Sequence, residues 1–540
     1  MAGGKLHKCH LKPHSRLVNP RPSRNGLNSQ RNGEQFKLNV LLVYPQYPDT
    51  FWSLKHALRI IAKKAAFPPL GLLTVGSMLP QEWEKKLVDM NATPLTDKDL
   101  RWADYVFISA MVVQRESVRE VIRRCKRLNA KTVAGGPLFT SEYEKFEEVD
   151  HLVLNEAEIT LPPFLEDLGK GCAKHIYTSQ ERPDIRTTPI PAWSLLDTKK
   201  YATMSVQYSR GCPFDCEFCD IVVLNGHKVR TKGKDQFLSE LEALYHRGWR
   251  AGVFVVDDNF IGNKRQLKEE ILPAIIKWQE ERKHPFGLST QLSINLADDE
   301  ELMRLMVKAG FDCVFVGIES PNEESLAECN KRQNEGRDLV ASVKKMQNHG
   351  FQVQAGFILG FDSDTDSVFK SQINFVQKSG IVVAMVGLLN APRGTKLHQR
   401  LKKENRLLEK VSGDNTDCSM NFIPKMDSQK LVNGYKSVLN TIYSPKQYYT
   451  RVETFLKQYK PQRKKGASKL ELWHIWALTR SMWFLGVADR GRWHYWRFLV
   501  STLMRRPRSF PISMTLAIWG FHFRKLAHKY AAVPVGSAST

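Results

Sequence analysis

The chain alternates short, uninterrupted apolar runs with longer segments of helical period. LNVLLVYP at 38–45 is continuously apolar, as expected of a strand covered on both faces of a parallel sheet. PPLGLLTVGSML at 68–79 reads as a helix started by prolines. KKLVDMN (85–91), ADYVFISAM (103–111), KTVAGGP (131–137) and HLVLNEAE (151–158) read as further strands, with a helix at about 116–128. Strand and helix in alternation predict a doubly wound, Rossmann-like α/β domain over 38–185. Ligands in such sheets sit at the carboxyl ends of the strands. The small or polar residues expected there are Tyr44, Pro45 and Gln46; Ser109, Ala110 and Met111; Gly135, Gly136 and Pro137; and Asn155, Glu156, Ala157 and Glu158. No GxGxxG follows the first strand, which disfavours a dinucleotide.

A proline-punctuated linker at 186–200 leads to a second α/β series over 201–400. Its strands are expected at 204–212, 252–260, 286–293, 313–320, 353–362 and 382–395, with helices at 238–249 and 299–309. Six strands with intervening helices predict a partial (β/α)6 barrel, whose reactive groups gather at the strands' carboxyl ends. Residues 401–540 read as a helical C-terminal region.

Charge changes the picture at the two ends. The net charge is +24. Residues 1–37 carry eight Lys/Arg and one acid, and residues 461–540 carry fourteen Lys/Arg and two acids. The first stretch lacks large apolar residues and reads as a disordered basic tail. The second interleaves arginines with Trp473, Trp476, Trp483, Trp493, Trp496 and Trp519. Such a mixture suits peripheral contact with a membrane face, a helical cap with a solvated basic side, or, less well, nucleic acid. No apolar run approaches 20 residues, so no transmembrane helix is expected.

The nine cysteines are scattered singly except in YSRGCPFDCEFCD at 208–220, which holds Cys212, Cys216 and Cys219. The scatter argues against a disulfide framework and for the reducing cytoplasm, with contact at the inner membrane face in the membrane reading. Three close thiolates can grip one face of an iron–sulfur cube and leave its fourth iron open. A structural zinc site is the alternative, but no second cysteine pair exists, and Asp220 and His227 are poor substitutes.

With the aromatic Phe218 before its last cysteine, this triplet resembles the radical SAM signature CxxxCxΦC, where SAM is S-adenosylmethionine. Placed ahead of it, the 38–185 domain with FPPLGL (67–72) and GGP (135–137) resembles the cobalamin-binding module of cobalamin-dependent radical SAM proteins, although DxHxxG is absent. SRGCPFDCEFCDI (209–221), VDDNFIGNK (256–264), VFVGIESP (314–321) and GFILGFD (356–362) bring the resemblance to the hopanoid C-2 methylase type, over about 38–410.

The resemblance implies a 4Fe-4S cluster on Cys212, Cys216 and Cys219, with SAM and cobalamin as further cofactors. It implies SAM contacts from Phe218, Arg230, Asp258, Asn259, Ser293, Glu319 and Gln354. It implies cobalamin contacts from Tyr44, Ser109, Ala110, Gly135, Gly136, Asn155 and Glu156. Strand-end Asp and Ser residues are equally well read as helix caps. The implied reaction is methylation of an unactivated carbon: reductive cleavage of SAM yields a 5′-deoxyadenosyl radical, a substrate hydrogen atom is removed, and methylcobalamin supplies the methyl group. The implied partners are an apolar polycyclic or isoprenoid substrate and a one-electron donor such as flavodoxin or ferredoxin. A radical cyclase or ring-modifying enzyme of tetrapyrroles, and a cobalamin sensor with a vestigial barrel, are the rival readings.

Overall fold

The computed structural model describes residues 37–408, 412–414, 416–460 and 472–531. The basic tail expected before Lys37 and the side chain of Trp473 lie outside the described residues.

The first domain is a parallel sheet of β1 (Asn39–Tyr44), β2 (Glu84–Asp89), β3 (Tyr105–Ser109), β4 (Lys131–Gly135), β5 (His151–Val153) and β6 (Ile176–Tyr177), in the order β2-β1-β3-β4-β5-β6. The continuous apolar run of β1 is explained by two separate cores. Leu41 and Val43 face one with Ile108, Val121 and Phe139, while Val40 and Leu42 face the other with Phe107 and Phe164. The strand order turns back between β1 and β3, which opens a crevice at their carboxyl ends.

The expected strand at 151–158 is shorter than its apolar run. It stops at Val153, Asn155 takes a left-handed φ of 63°, and a helix begins at Ala157. Pro162 and Pro163 hide that helix from a periodicity reading.

The second sheet holds β7 (Met204–Val206), β10 (Val253–Val255), β11 (Leu288–Leu292), β12 (Phe311–Glu319), β13 (Gln352–Leu359) and β14 (Ala384–Leu388). These pair in parallel and in strictly sequential order, so the expected half-barrel is present. Between β7 and β10 the chain makes an antiparallel ribbon of β8 (Ser209–Arg210) and β9 (Arg230–Thr231) around the cysteine loop. The expected single strand at 204–212 is thus two. Asp257 breaks it by accepting hydrogen bonds from Tyr208 N (2.8 Å) and Ser209 Oγ (2.6 Å).

Alternate residues of the barrel strands face a helix-covered core or the interior. Val253, Val255, Leu288, Val314, Val316 and Val353 belong to the core. Phe254, Phe315 and Met385 are half-buried on the other face. Gly356 lies among them: a Cβ there would meet the Phe315 ring at 3.1 Å and Met385 at 3.8 Å. The segment 51–67 of the first domain enters this interior. Trp52 donates from Nε1 to Met385 Sδ (3.1 Å) and meets Phe315 edge-on (5.3 Å), and Phe67 lies 5.4 Å from Phe254.

After the barrel the chain is helical. Helices Ser428–Ile442, Pro445–Gln458 and Phe510–Ala531 pack on the outside of the barrel through Tyr435, Tyr443, Tyr448 and Phe455. Helices Leu472–Gly486 and Arg492–Arg505 form a hairpin beside them.

Candidate active site

Both sheets turn carboxyl ends toward one region, and the cysteine loop lies there. Gly211 precedes the loop with φ 94°; a Cβ at this position would stand 2.6 Å from the Lys228 carbonyl oxygen, so only glycine fits. Asp258 secures the same point by accepting from Gly211 N (2.8 Å) and Asn225 Nδ2 (2.9 Å). Cys219 N donates to Cys216 O (3.1 Å), and Glu217 N donates to Cys329 O (2.9 Å).

The three thiols are partly exposed. Burial raises the thiol pKa of Cys212 and Cys216, and pushes Cys219 up to about 12. In the bare protein they are therefore thiols, and a metal must hold them as thiolates. Among the described residues no three His, Cys, Asp or Glu side chains close on a single metal ion. A cube presents a separate iron to each of its ligands, so its ligands need not close on one point. Three soft thiol donors on one short loop suit an iron–sulfur cluster.

Phe218 packs with Ile358, Phe361 and Leu397 behind the loop. Glu319, at the end of β12, holds a left-handed φ of 64° and is buried. Its Oε1 receives Lys331 Nζ at 2.6 Å. Burial opposes the Lys331 charge, but Glu319 and then Cys216 raise its pKa. The pair stands over Gly317, where a Cβ would lie 2.3 Å from Glu319 Oε1 and 2.7 Å from Lys331 Nζ. Gln333 reaches Cys216 Sγ at 3.8 Å. Sequence reasoning missed Lys331 and Gln333, because nothing in their spacing marks them.

Asn259 and Ser293 come together: Ser293 N donates to Asn259 Oδ1 at 3.2 Å. Gln354 is not with them. It lies early in β13 opposite Phe315 and donates to Cys313 Sγ (3.1 Å). Arg230 has its guanidinium taken up elsewhere, by both oxygens of Glu156 (2.9 Å each), Pro183 O (2.9 Å) and Asn225 O (3.0 Å).

In the first domain Ser109, Gly135 and Gly136 meet at one edge. A Cβ on Gly136 would stand 2.6 Å from Ser109 Oγ, and one on Gly135 would stand 2.5 Å from Val153 O. Neither glycine could carry a side chain without displacing these neighbours, so the strand ends pack closely here. Ala110 O accepts from Leu138 N (3.0 Å) and anchors the helix after β4. Tyr44 is wrapped by Tyr47, Asp89 and Gln114, and burial raises its pKa. Asn155 donates to Ser179 O (2.6 Å) and Thr178 Oγ1 (3.0 Å). Glu156 binds Arg210 as well as Arg230, so it joins the two domains.

A doubly wound sheet set against a partial six-stranded barrel with a three-thiol loop defines a cobalamin-binding radical SAM enzyme. Comparison with known proteins agrees. Residues 59–165 match the B12 binding domain, residues 206–376 the radical SAM superfamily, and residues 395–533 a domain of unknown function (DUF4070). The chain is 43% identical to an uncharacterized methyltransferase of Synechocystis sp. over 90% of this chain and 91% of that one. It is 31% identical to the hopanoid C-2 methylase of Rhodopseudomonas palustris over 87% of this chain and 90% of that one. Its fold is similar to the cobalamin-dependent S-adenosylmethionine radical enzyme OxsB, at 14% identity and TM-score 0.58, over 91% of this chain and 80% of that one.

The chain belongs to the cobalamin-binding radical SAM methyltransferase family. Its cofactors are a 4Fe-4S cluster, S-adenosylmethionine and cobalamin.

Proposed function

We propose that this enzyme methylates an unactivated carbon of an apolar polycyclic or isoprenoid lipid. The observation that carries the reading is the apolar lining of the barrel interior, where Trp52 meets Phe315 and Met385, Phe67 meets Phe254, and Gly356 packs under Phe315 without a side chain of its own. A rigid apolar ring system gains by leaving water for such a wall. The kinship with a hopanoid C-2 methylase supports it.

In this reading Cys212, Cys216 and Cys219 hold the cluster, which when bound supplies one electron and an open iron for SAM. Phe218, Asn259, Ser293 and Glu319 hold SAM. Lys331, paired with Glu319 at 2.6 Å and with its charge favoured by Cys216, offers a cation on the cluster side of the site, whereas the Arg230 guanidinium is held by Glu156 and two backbone carbonyls. Ser109, Gly135 and Gly136 offer the edge on which cobalamin lies. An external one-electron donor completes the set. The side chains bind, orient and exclude water; the difficult chemistry belongs to the cofactors.

The test is anaerobic reconstitution with iron, sulfide and methylcobalamin, then product analysis with isoprenoid, polycyclic and tetrapyrrole candidates. A lipid product one methyl heavier, with S-adenosylhomocysteine formed alongside it, is expected. Methylation or cyclisation of a tetrapyrrole in preference to every lipid would overturn the substrate class.

A further inference from the structure

The helical hairpin over 472–505 leaves a large apolar surface in water. Trp483, Trp493 and Met504 are 62%, 76% and 78% exposed. On the first helix Trp476, Trp483 and Val487 recur at intervals of seven and four, and all are exposed, which makes one stripe. On the second helix Trp493, Arg497, Val500 and Met504 recur at four, three and four, and make another. Around the turn that joins the helices, Trp483, Val487, Arg490, Arg492 and Trp493 are exposed within eleven residues of one another.

Charge separates this surface from an ordinary unburied patch. Among the described residues, Arg490, Arg492, Arg497, Arg505 and Arg508 have no carboxylate partner; the hairpin's ion pair is between Asp489 and Arg524 (2.7 Å), behind the turn. Five guanidiniums face one paired acid, Asp489, and one further acid nearby, Glu453, and this cationic excess seeks anions from outside the chain. A cleft of about 560 Å³ lies against the second stripe. Trp496, Val500 and Met504 give it an apolar lining, and its charged residues are Arg497, Arg505 and one acid, Glu453, a cationic excess of one. Exposed apolar side chains interleaved with a cationic excess suit the interface of an anionic bilayer. Nucleic acid would use the cations but would leave Val487, Val500 and Met504 in water, so it fits less well. Among the described residues no helix is long and apolar enough to cross a membrane.

We infer that this hairpin docks the enzyme onto an anionic bilayer: its Trp, Val and Met side chains enter the interface and its unpaired arginines meet lipid phosphates. The inference does not depend on the substrate proposed above. It concerns where the enzyme sits, whatever carbon it methylates.

The test is vesicle flotation of the full-length reconstituted enzyme. Vesicles of phosphatidylcholine alone are compared with vesicles containing phosphatidylglycerol. Binding to the anionic vesicles is expected, weakened by salt, with a half-saturating lipid concentration raised about tenfold or more by Trp493→Glu and by Met504→Glu. Arg490→Glu with Arg492→Glu should raise it similarly on anionic vesicles only. These side chains project into solvent, so unchanged circular dichroism and cluster content separate lost docking from lost folding. Absence of flotation with either vesicle, or equal flotation by wild type and both apolar variants, would overturn the inference. So would a soluble dimer, or RNA binding, that the same variants abolish while flotation persists.

Discussion

Glu156, the residue just before a helix of the cobalamin domain, is held by Arg230 of the barrel ribbon through two hydrogen bonds of 2.9 Å. Arg210, opposite Arg230 on the same ribbon, adds a third at 2.8 Å and reaches on to Glu158. Two guanidiniums side by side would repel, and the two carboxylates make their pairing favourable. The cluster loop runs between these two strands, so one set of ion pairs fixes both the domain orientation and the base of the loop.

Glu156→Gln therefore leaves the partly buried Arg230 guanidinium without a carboxylate and Arg210 with Glu158 alone. Removing one partner of a buried ion pair costs about 3–5 kcal/mol. Urea unfolding should show that loss, and limited proteolysis should show faster cleavage in the linker at 186–200. Replacing exposed Glu116 in the same way should change stability by less than about 0.5 kcal/mol.

Each of Cys212→Ala, Cys216→Ala and Cys219→Ala should abolish iron retention. Cleavage of SAM to 5′-deoxyadenosine should fall at least about a hundredfold, beyond what loss of an outer-shell contact costs. Cobalamin binding should persist, since it belongs to the other domain. An iron-replete, active triple variant would refute the ligand assignment.

Gly136→Ala places a Cβ 2.6 Å from Ser109 Oγ at a φ of 88°. With ψ at −178° this is a conformation essentially confined to glycine, and it alone costs another residue about 1–3 kcal/mol. The variant should fold less stably and retain less cobalamin after gel filtration, while iron content stays unchanged.

His522 is buried, and its Nε2 lies 3.1 Å from the Phe51 carbonyl oxygen. Burial lowers its pKa to about 4 from 6.5. Between those values the unfolded chain binds the extra proton. This contribution is complete above about pH 6.5 and declines as pH falls toward 4, to a limit of about 3 kcal/mol. His522→Gln should flatten that part of the stability–pH curve, measured by urea midpoints across it.

Most of the fold was legible because buried parallel strands are written as unbroken apolar runs. β1, β3 and β10 announce themselves so, β11 alternates instead (LSTQL), and the cysteine spacing needs no tertiary information. What was not legible depends on distance along the chain. Arg230 looked like a free cation for SAM, but its partner Glu156 lies 74 residues earlier. Gln354 sits within a strand stretch whose end carries ligand-type residues, yet the pairing register puts it opposite Phe315, well before that end. Lys331 became visible only when a backbone turn set it on Glu319. The outward tryptophans could not be told from inward ones by composition, since both kinds occur: Trp496 caps a helix at Gly486 O (2.9 Å) while Trp493 points to solvent.

The turn that sends Trp52 into the barrel is held from behind by Phe523, stacked on Phe51 at 4.3 Å, and by His522, which follows Phe51 by 471 residues. On the ribosome, therefore, the first domain emerges long before the helix that seats its aromatic plug. The seat of Trp52 is therefore complete only once the helix Phe510–Ala531 has been made and has packed.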